Sequence, residues 1–469
     1  MRPIICAILA ALIPSALFGA ESIIQVPNTA ENQRLIQKMD LDHDCMGSTR
    51  KHLRFLMDDH ARSQLAKNSV MEAQLMAEAT VAEENVLSQF ASVAKEKDLG
   101  IYHTFGEMED ELHGVAKEYP NLATLSVGKR SFEDRPIYVM ELTAKSSKAK
   151  KVNYLVTGTH HAREWISTEV ALEWIQHLVK GYGKDSKVTT LLDTSVFVVV
   201  PMLNPDGGVH SRIREWMWRK NRRKAKKALF RGVDNNRNYP HMFGGGGSSG
   251  FSASQTYRGE EPLTEAENQL VIELTEKYKF TASVSLHSYG ELVIWPWGYT
   301  YAVASNDHVV FEKYGNEMGR IMGHKPMQAS GLYIASGVYE DTLYANYGVL
   351  AYTFELGREF IPKPEKVEGI EAKSIEAMQY LFINARDPFG GVEETQVRKA
   401  QRFLQKLVYH MSLPENKREL SSDYASLSSF SNEVIEEAME GIKMIPQYRE
   451  KIRSGMARHH KHSEIHVLN

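Results

Sequence analysis

"KVNYLVTGTHHAREW", residues 151–165, decides how this chain is read. Lys151 to Gly158 is an apolar, β-branched run of strand type that stops at a glycine. His160, His161 and Glu164 follow at once. In open α/β sheets ligands bind beyond the carboxyl ends of the strands, so two imidazoles and a carboxylate placed there point to a site. A hydrolytic zinc centre takes three protein ligands and keeps one position open. This stretch can supply two of them: either His161 and Glu164, three apart, or His160 and Glu164, four apart. The third is expected from "SVSLHSYG" at 283–290, where His287 closes a second apolar run in which Val284 and Leu286 alternate with polar positions.

Outward from this stretch, short apolar runs alternate with amphipathic segments from Tyr102 onward. Strands are predicted at "ATLSVGK", "IYVMEL", "VNYLVTG", "SVFVVVPML", "TASVSLH" and "VLAYTFEL", and helices near 165–181, 264–278, 308–322 and 365–386. That alternation predicts an α/β sheet covered on both faces. A long irregular stretch, 204–262, holds "GGGGSSG"; with no following lysine and hydroxyl residue it is not a phosphate loop and reads as flexible loop. Before Tyr102 the texture differs. Leu75, Ala79, Ala82, Val86, Phe90 and Val93 recur at spacings of three and four, which predicts a long helix with one apolar stripe. Beyond about residue 390 the chain turns polar and helical again and ends in "RHHKHSEIHVLN", read as a solvated terminus.

The 469 residues, 42% hydrophobic, are ample for a buried core, and a formal net charge of −3 gives no electrostatic case for nucleic acid. The basic run "RIREWMWRKNRRKAKK" at 212–227 is expected to be a solvated, partly helical face. "MRPIICAILAALIPSALFGA" at the start has a basic residue and an apolar stretch too short to span a bilayer, so residues 1–20 read as a signal peptide and the protein as exported, with no stable membrane insertion after its removal. Cys6 leaves with that segment. Cys45 then remains alone, and no internal disulfide is expected.

With these residues in view, the sequence resembles the zinc carboxypeptidases of the A/B type, the M14 family. "HAREW" at 161–165 matches the family's His-x-x-Glu element and "SLHSY" at 285–289 its third-ligand strand. The resemblance implies that His161, Glu164 and His287 bind one zinc ion, with His160 a neighbour. Further matches follow in family order. They imply that Arg219 of "MWRK" stabilises the oxyanion, that Asn236 and Arg237 of "VDNNRNY" hold the substrate's terminal carboxylate, that Tyr333 of "GLYIASG" is the mobile tyrosine, and that Glu355 of "YTFELG" is the general base. Arg163 and Tyr289 correspond to family residues of the upstream subsites. The chemistry suits these types: guanidinium pairs bidentately with carboxylate, and an always-charged donor suits a developing oxyanion. The implied fold is a mixed, mostly parallel twisted sheet flanked by helices. The resemblance covers a catalytic domain at 102–390; the residues outside it read as a signal at 1–20, a helical N-terminal region at 21–101 in the place of an inhibitory propeptide, and a helical, polar extension at 391–469 with no family counterpart.

The function implied is a zinc-dependent exopeptidase that removes the C-terminal residue of peptides or proteins. In the family, the residue seven past the mobile tyrosine lies at the base of the specificity pocket, and aspartate there accompanies Lys or Arg substrates. Here that residue is Glu340. A buried carboxylate needs a partner, which predicts a preference for C-terminal Lys or Arg. The alternatives are an outward-turned Glu340 with a preference for apolar ends, and a non-catalytic homologue that binds peptide C-termini.

Overall fold

The computed structural model describes residues 22–27, 45–48, 52–57, 80–81, 100–224, 231–302, 307–389, 396–412 and 429–441. Ahead of residue 100 these are strands: Ser22–Pro27 (β1), Cys45–Ser48 (β2), His52–Met57 (β3) and Thr80–Val81 (β4). They pair antiparallel in the order β2-β3-β1-β4. The helical reading of 21–101 is corrected over these residues. The run Ile23, Ile24 and Val26 favours extended chain, as does the alternation of Leu53 and Phe55 with His52 and Arg54. Thr80 and Val81, inside the expected stripe, pair with Gln25 and Ile24 instead. The remainder of that stripe, the signal segment and the terminal histidines lie outside the described residues.

The predicted strands assemble into one eight-stranded sheet. Its members are Ala123–Arg130 (β5), Pro136–Leu142 (β6), Val152–Gly158 (β7), Ser195–Val200 (β8), Ala282–His287 (β9), Leu292–Trp295 (β10), Lys325–Gln328 (β11) and Leu350–Glu355 (β12), in the order β11-β10-β12-β9-β7-β8-β6-β5. The four central strands β12, β9, β7 and β8 run parallel, β10 pairs parallel with β11, and the remaining pairs are antiparallel. Every residue of β9 is buried. Helices cover both faces of the centre, so its strands are apolar runs with little alternation.

Helices Phe105–Glu118 (α1), Ile166–Gly181 (α2), Ser186–Thr194 (α3), Pro205–Ile213 (α4), Ala266–Tyr278 (α5), His308–Met322 (α6), Tyr339–Tyr347 (α7), Pro364–Asn384 (α8), Gln396–Ser412 (α9) and Asn432–Gly441 (α10) follow the chain. Alternation along β7 splits two cores. Tyr154 and Val156 face Trp174 of α2, Phe311 of α6 and Phe382 of α8; Leu155 faces Leu270 of α5 and Leu343 of α7. Trimming Phe382 to alanine would cost about 3–5 kcal/mol by lost burial and cavity formation. Among the described residues no helix is long and apolar enough to cross a membrane.

Within the basic run the solvated reading is corrected for three cations, while Arg214 and Lys224 are exposed and 225–227 lie outside the described residues. Arg212, Arg219 and Lys220 are buried. Arg212 donates to the His103 carbonyl (2.8 Å) and covers Trp165, while Lys220 donates to the carbonyls of Ser252 (2.8 Å) and Ser254 (2.9 Å). These cations are buried because the fold supplies an acceptor for each.

Candidate metal centre and active site

The site lies at the carboxyl ends of three adjacent parallel strands. β7 ends at Gly158, where an added Cβ would stand 2.5 Å from the Pro201 carbonyl oxygen, so only glycine fits. Thr159 then adopts φ 57°, a left-handed conformation that costs a β-branched residue about 1–3 kcal/mol. Its amide donates to the Ser167 hydroxyl (2.9 Å) and its own hydroxyl meets that of Thr168 (2.6 Å), which hold the bend.

Beyond the bend the two histidines part. His161 Nδ1 lies 2.8 Å from Glu164 Oε1, His287 Nδ1 lies 2.9 Å from Glu164 Oε2, and the two Nδ1 atoms are 3.1 Å apart. Among the described residues this is the one group of three or more His, Cys, Asp or Glu whose ligand atoms converge, all within 4.8 Å. Tetrahedral zinc with bonds of about 2.0–2.1 Å spaces its ligands roughly 3.3 Å apart. The trio fits such an ion with small adjustments. His160 points elsewhere: its Nε2 meets Tyr239 Oη (2.9 Å) and its Nδ1 meets Ser285 Oγ (3.1 Å). Ser285 in turn meets His287 Nε2 at 3.0 Å, so His160 reaches the cluster through a hydroxyl. Burial and the two neighbouring histidines hold His160 well below its usual pKa, as a neutral ring.

Sequence reasoning passed over Asp234. Its Oδ1 meets His161 Nε2 (3.1 Å), and its Oδ2 accepts two N–H bonds from Arg219, at 3.1 and 2.9 Å. One carboxylate therefore orients an imidazole and the guanidinium beside it, the usual way an outer carboxylate fixes a ligand's tautomer. A lone aspartate has no spacing signature; its place two residues before Asn236 in "VDNNRNY" was the available signal. Burial opposes its charge, but Arg219 and His161 keep Asp234 ionised well below the ordinary range, and the two histidines do the same for Glu164.

Register brings in Glu355, which sits opposite His287 on the neighbouring strand. Burial pushes its carboxyl up to about 8, with Glu164 adding to the effect against the pull of His287. Arg237 is buried, donates to the carbonyls of Gly247 (2.6 Å) and Asn236 (2.7 Å), and lies 5.8 Å from the Tyr333 ring centre. The glycine loop is thus packed against the site, correcting the flexible reading: a Cβ on Gly247, at φ 74°, would meet the Ile334 oxygen at 1.8 Å. Asn236 Oδ1 accepts from the Tyr339 amide (2.8 Å) at the start of α7. Arg163 stacks over Phe360 at 4.2 Å, with Tyr289 edge-on to the same ring at 4.8 Å, so these two share one aromatic platform.

Glu340, in the first turn of α7, is only 3% exposed and accepts from Thr353 Oγ1 at 3.3 Å, two residues before Glu355 on β12. Glu340 therefore does not turn outward. Burial raises its pKa while His287 and Arg237 work the other way, which places Glu340 within the field of the site.

Comparison with known proteins agrees with this geometry. A family model described as zinc carboxypeptidase matches residues 108–377. Carboxypeptidase A4 of Mus musculus is 31% identical over 264 residues, 55% of this chain and 63% of that protein. Carboxypeptidase A2 of Mus musculus is 32% identical over 283 residues, 58% of this chain and 67% of that protein. The match thus spans roughly two thirds of each of these relatives. In fold, the crystal structure of carboxypeptidase A from Helicoverpa armigera superposes with a TM-score of 0.69 at 21% identity, over 80% of this chain and 100% of that one. With a family model matching more than half of its length, and with His161, Glu164 and His287 converging, this chain belongs to the zinc carboxypeptidase family.

Proposed function

We propose that the protein is an exported, zinc-dependent exopeptidase that releases the C-terminal residue of peptides or proteins and prefers Lys or Arg there. The observation that carries the reading is the convergence of His161, Glu164 and His287 beside Glu355 on one side and Arg219 on the other. Bound by the trio, zinc supplies Lewis acidity and lowers the pKa of water from 15.7 to about 7. The side chains divide the remaining work. Glu355 takes the proton of the attacking water and returns it to the leaving amine. Arg219, pre-aimed by Asp234, receives the developing oxyanion. Asn236 and Arg237 bind the free carboxylate, and Tyr333, close to Arg237, closes over it. Arg163 and Tyr289, on the Phe360 platform, hold upstream backbone.

Glu340 is the basis for the Lys/Arg preference, since a buried carboxylate next to an incoming side chain favours a cation. Export rests on the apolar stretch of residues 1–20, and the place of 21–101 ahead of the catalytic domain supports an inhibitory propeptide. Equal activity of intact protein and protein trimmed near residue 100 would remove the propeptide role.

The test is a set of matched peptides ending in Lys, Arg, Leu, Phe or Glu, with an amidated Lys control, run with and without chelator. Chelator-sensitive release of Lys and Arg, with the amidated peptide intact, is expected. Release of Leu or Phe instead would keep the mechanism and discard the role of Glu340. No release by trimmed, zinc-loaded protein would favour a peptide-binding homologue.

A further inference from the structure

The C-terminal helix α9 lies against the pocket helix α7, and the contact is specific. α7 is short, and its residues from Tyr339 to Ala345 are all buried. At its end the amides of Gly348 and Val349 turn back to the carbonyls of Tyr344 and Leu343. The last carbonyls of a helix lack helical partners and carry its negative end. Ala345 is one of these, and its oxygen accepts from Arg402 Nε of α9 at 2.8 Å in a buried setting. The same guanidinium lies 5.4 Å from the Tyr344 ring centre, and the Tyr344 hydroxyl donates to Asp307 at 2.9 Å. One turn along α9, Gln405 Oε1 accepts from Trp297 Nε1 at 3.3 Å. Trp297 precedes Gly298 and Tyr299, whose amides both donate to Asp341, the neighbour of Glu340, at 2.8–3.1 Å. Two side chains of α9 therefore grip the pocket helix: Arg402 at its C-terminal end, and Gln405 through the loop that Asp341 ties to its first turn.

We infer that Arg402 and Gln405 are positioning residues for the specificity pocket, so that the C-terminal extension helps decide which terminal side chain is accepted. The inference rests on the reading of Glu340 as the pocket's charged base. Neither residue touches the reacting atoms; each acts by fixing where α7 presents Glu340. The chemistry at β9 and β12 is held by strand register and does not depend on the grip.

The experiment uses the full chain, zinc-loaded and then cleaved near residue 100 for the activity readings, as wild type, Arg402→Met, Arg402→Lys and Gln405→Leu. Two quantities are read: amide hydrogen exchange in 339–347 against 282–287, and the ratio of kcat/KM for peptides ending in Lys and in Leu. Arg402→Met is expected to speed exchange in 339–347 selectively and to shrink the Lys/Leu ratio about threefold to tenfold, through KM more than kcat. Arg402→Lys should restore part of both, because an ammonium can still reach the Ala345 carbonyl. Gln405→Leu, the milder change, should move both in the same direction and serves if Arg402→Met does not fold. Exchange in 339–347 that rises no more than in 282–287 would overturn the grip, whatever the activity. Selective exchange with an unchanged ratio would overturn the specificity role. A wild type with no preference for Lys or Arg would instead remove the reading of Glu340, with the exchange result still deciding whether the grip exists.

Discussion

Two regions of the active site are held in different ways. His287 and Glu355 end β9 and β12, where backbone hydrogen bonds between parallel strands fix their spacing, and His161 and Glu164 follow the bend that closes β7. Glu340 lies on α7, off the sheet, and that helix is braced by side chains as well as by the backbone bonds at its two ends: Asn236 at the helix start, Asp341 bonded to the loop beside it, and Arg402 at its end. A sheet-held group keeps its position when a neighbour is cut back, so changes there strike the chemistry itself. A side-chain-held group shifts with its supports, so changes there alter selectivity. The difference gives the fold a way to vary one set of contacts while keeping the other fixed.

The hardest test of the sheet-held side is Glu355→Gln. Loss of a positioned general base removes about 10²–10⁴-fold in rate. Zinc content, measured by metal analysis of the purified variant, should stay stoichiometric, because Glu355 is not one of the converging ligands. A variant that lost zinc as well would show that the base and the metal-binding residues are one structural unit.

Asp234→Asn comes next in size. The amide can still meet one partner, but it cannot carry the charge that faces both His161 and Arg219. Zinc affinity, read by competition with a chromogenic chelator, should fall about 10–100-fold. Unaltered affinity would mean that strand geometry alone positions His161.

The ligand strands were legible because chemistry and local structure coincide there: β-branched runs end in His and Glu, and "VNYLVTG" is β7 itself. What was not legible lacked contrast. α7 is buried on every side from Tyr339 to Ala345, so no polar face marks its period. β10 and β11 are four residues each, and β11 contains a proline at the sheet edge. Asp234 and Arg402 act on partners 73 and 57 residues away, a relation that no local pattern carries. The N-terminal strands were hidden by the Ala- and Glu-rich segment that follows the first three and contains the fourth, whose composition suggests helix.

On the side-chain-held side, Glu340→Leu should exchange a Lys preference for a Leu preference. The change in ratio should be about tenfold, 1.4 kcal/mol, because the lysine's attraction is largely offset by its desolvation. Acidification of the wild type should act in the same direction. The Glu340 pKa is raised, so the charge that attracts lysine is present above that value and is lost as pH falls through it. Peptide competition at a series of pH values reads the effect directly. A Lys/Leu ratio independent of pH, with turnover of both peptides intact, would assign the preference to some other group.

The smallest effect is expected where neither region is touched. His103 contacts Glu111 (2.9 Å) and Glu169 (2.5 Å), and its amide donates to Glu169 (3.0 Å), tying the chain ahead of α1 to α2. Hydrogen bonds donated to Glu111 and Glu169 raise the His103 pKa from 6.5 to about 10, against its burial. A raised folded-state value means that the stabilising charge is fully present below pH 6.5 and is lost as pH rises toward about 10. Solvent reaches the ring, so screening limits the contribution to the order of 1 kcal/mol. Denaturant melts across that window should show wild-type stability declining relative to His103→Gln as pH rises, with the Lys/Leu ratio of the variant unchanged. A shift in that ratio would mean that strain at α2 travels to α7, and that the pocket depends on the sheet's flanking helices as well as on its own side-chain supports.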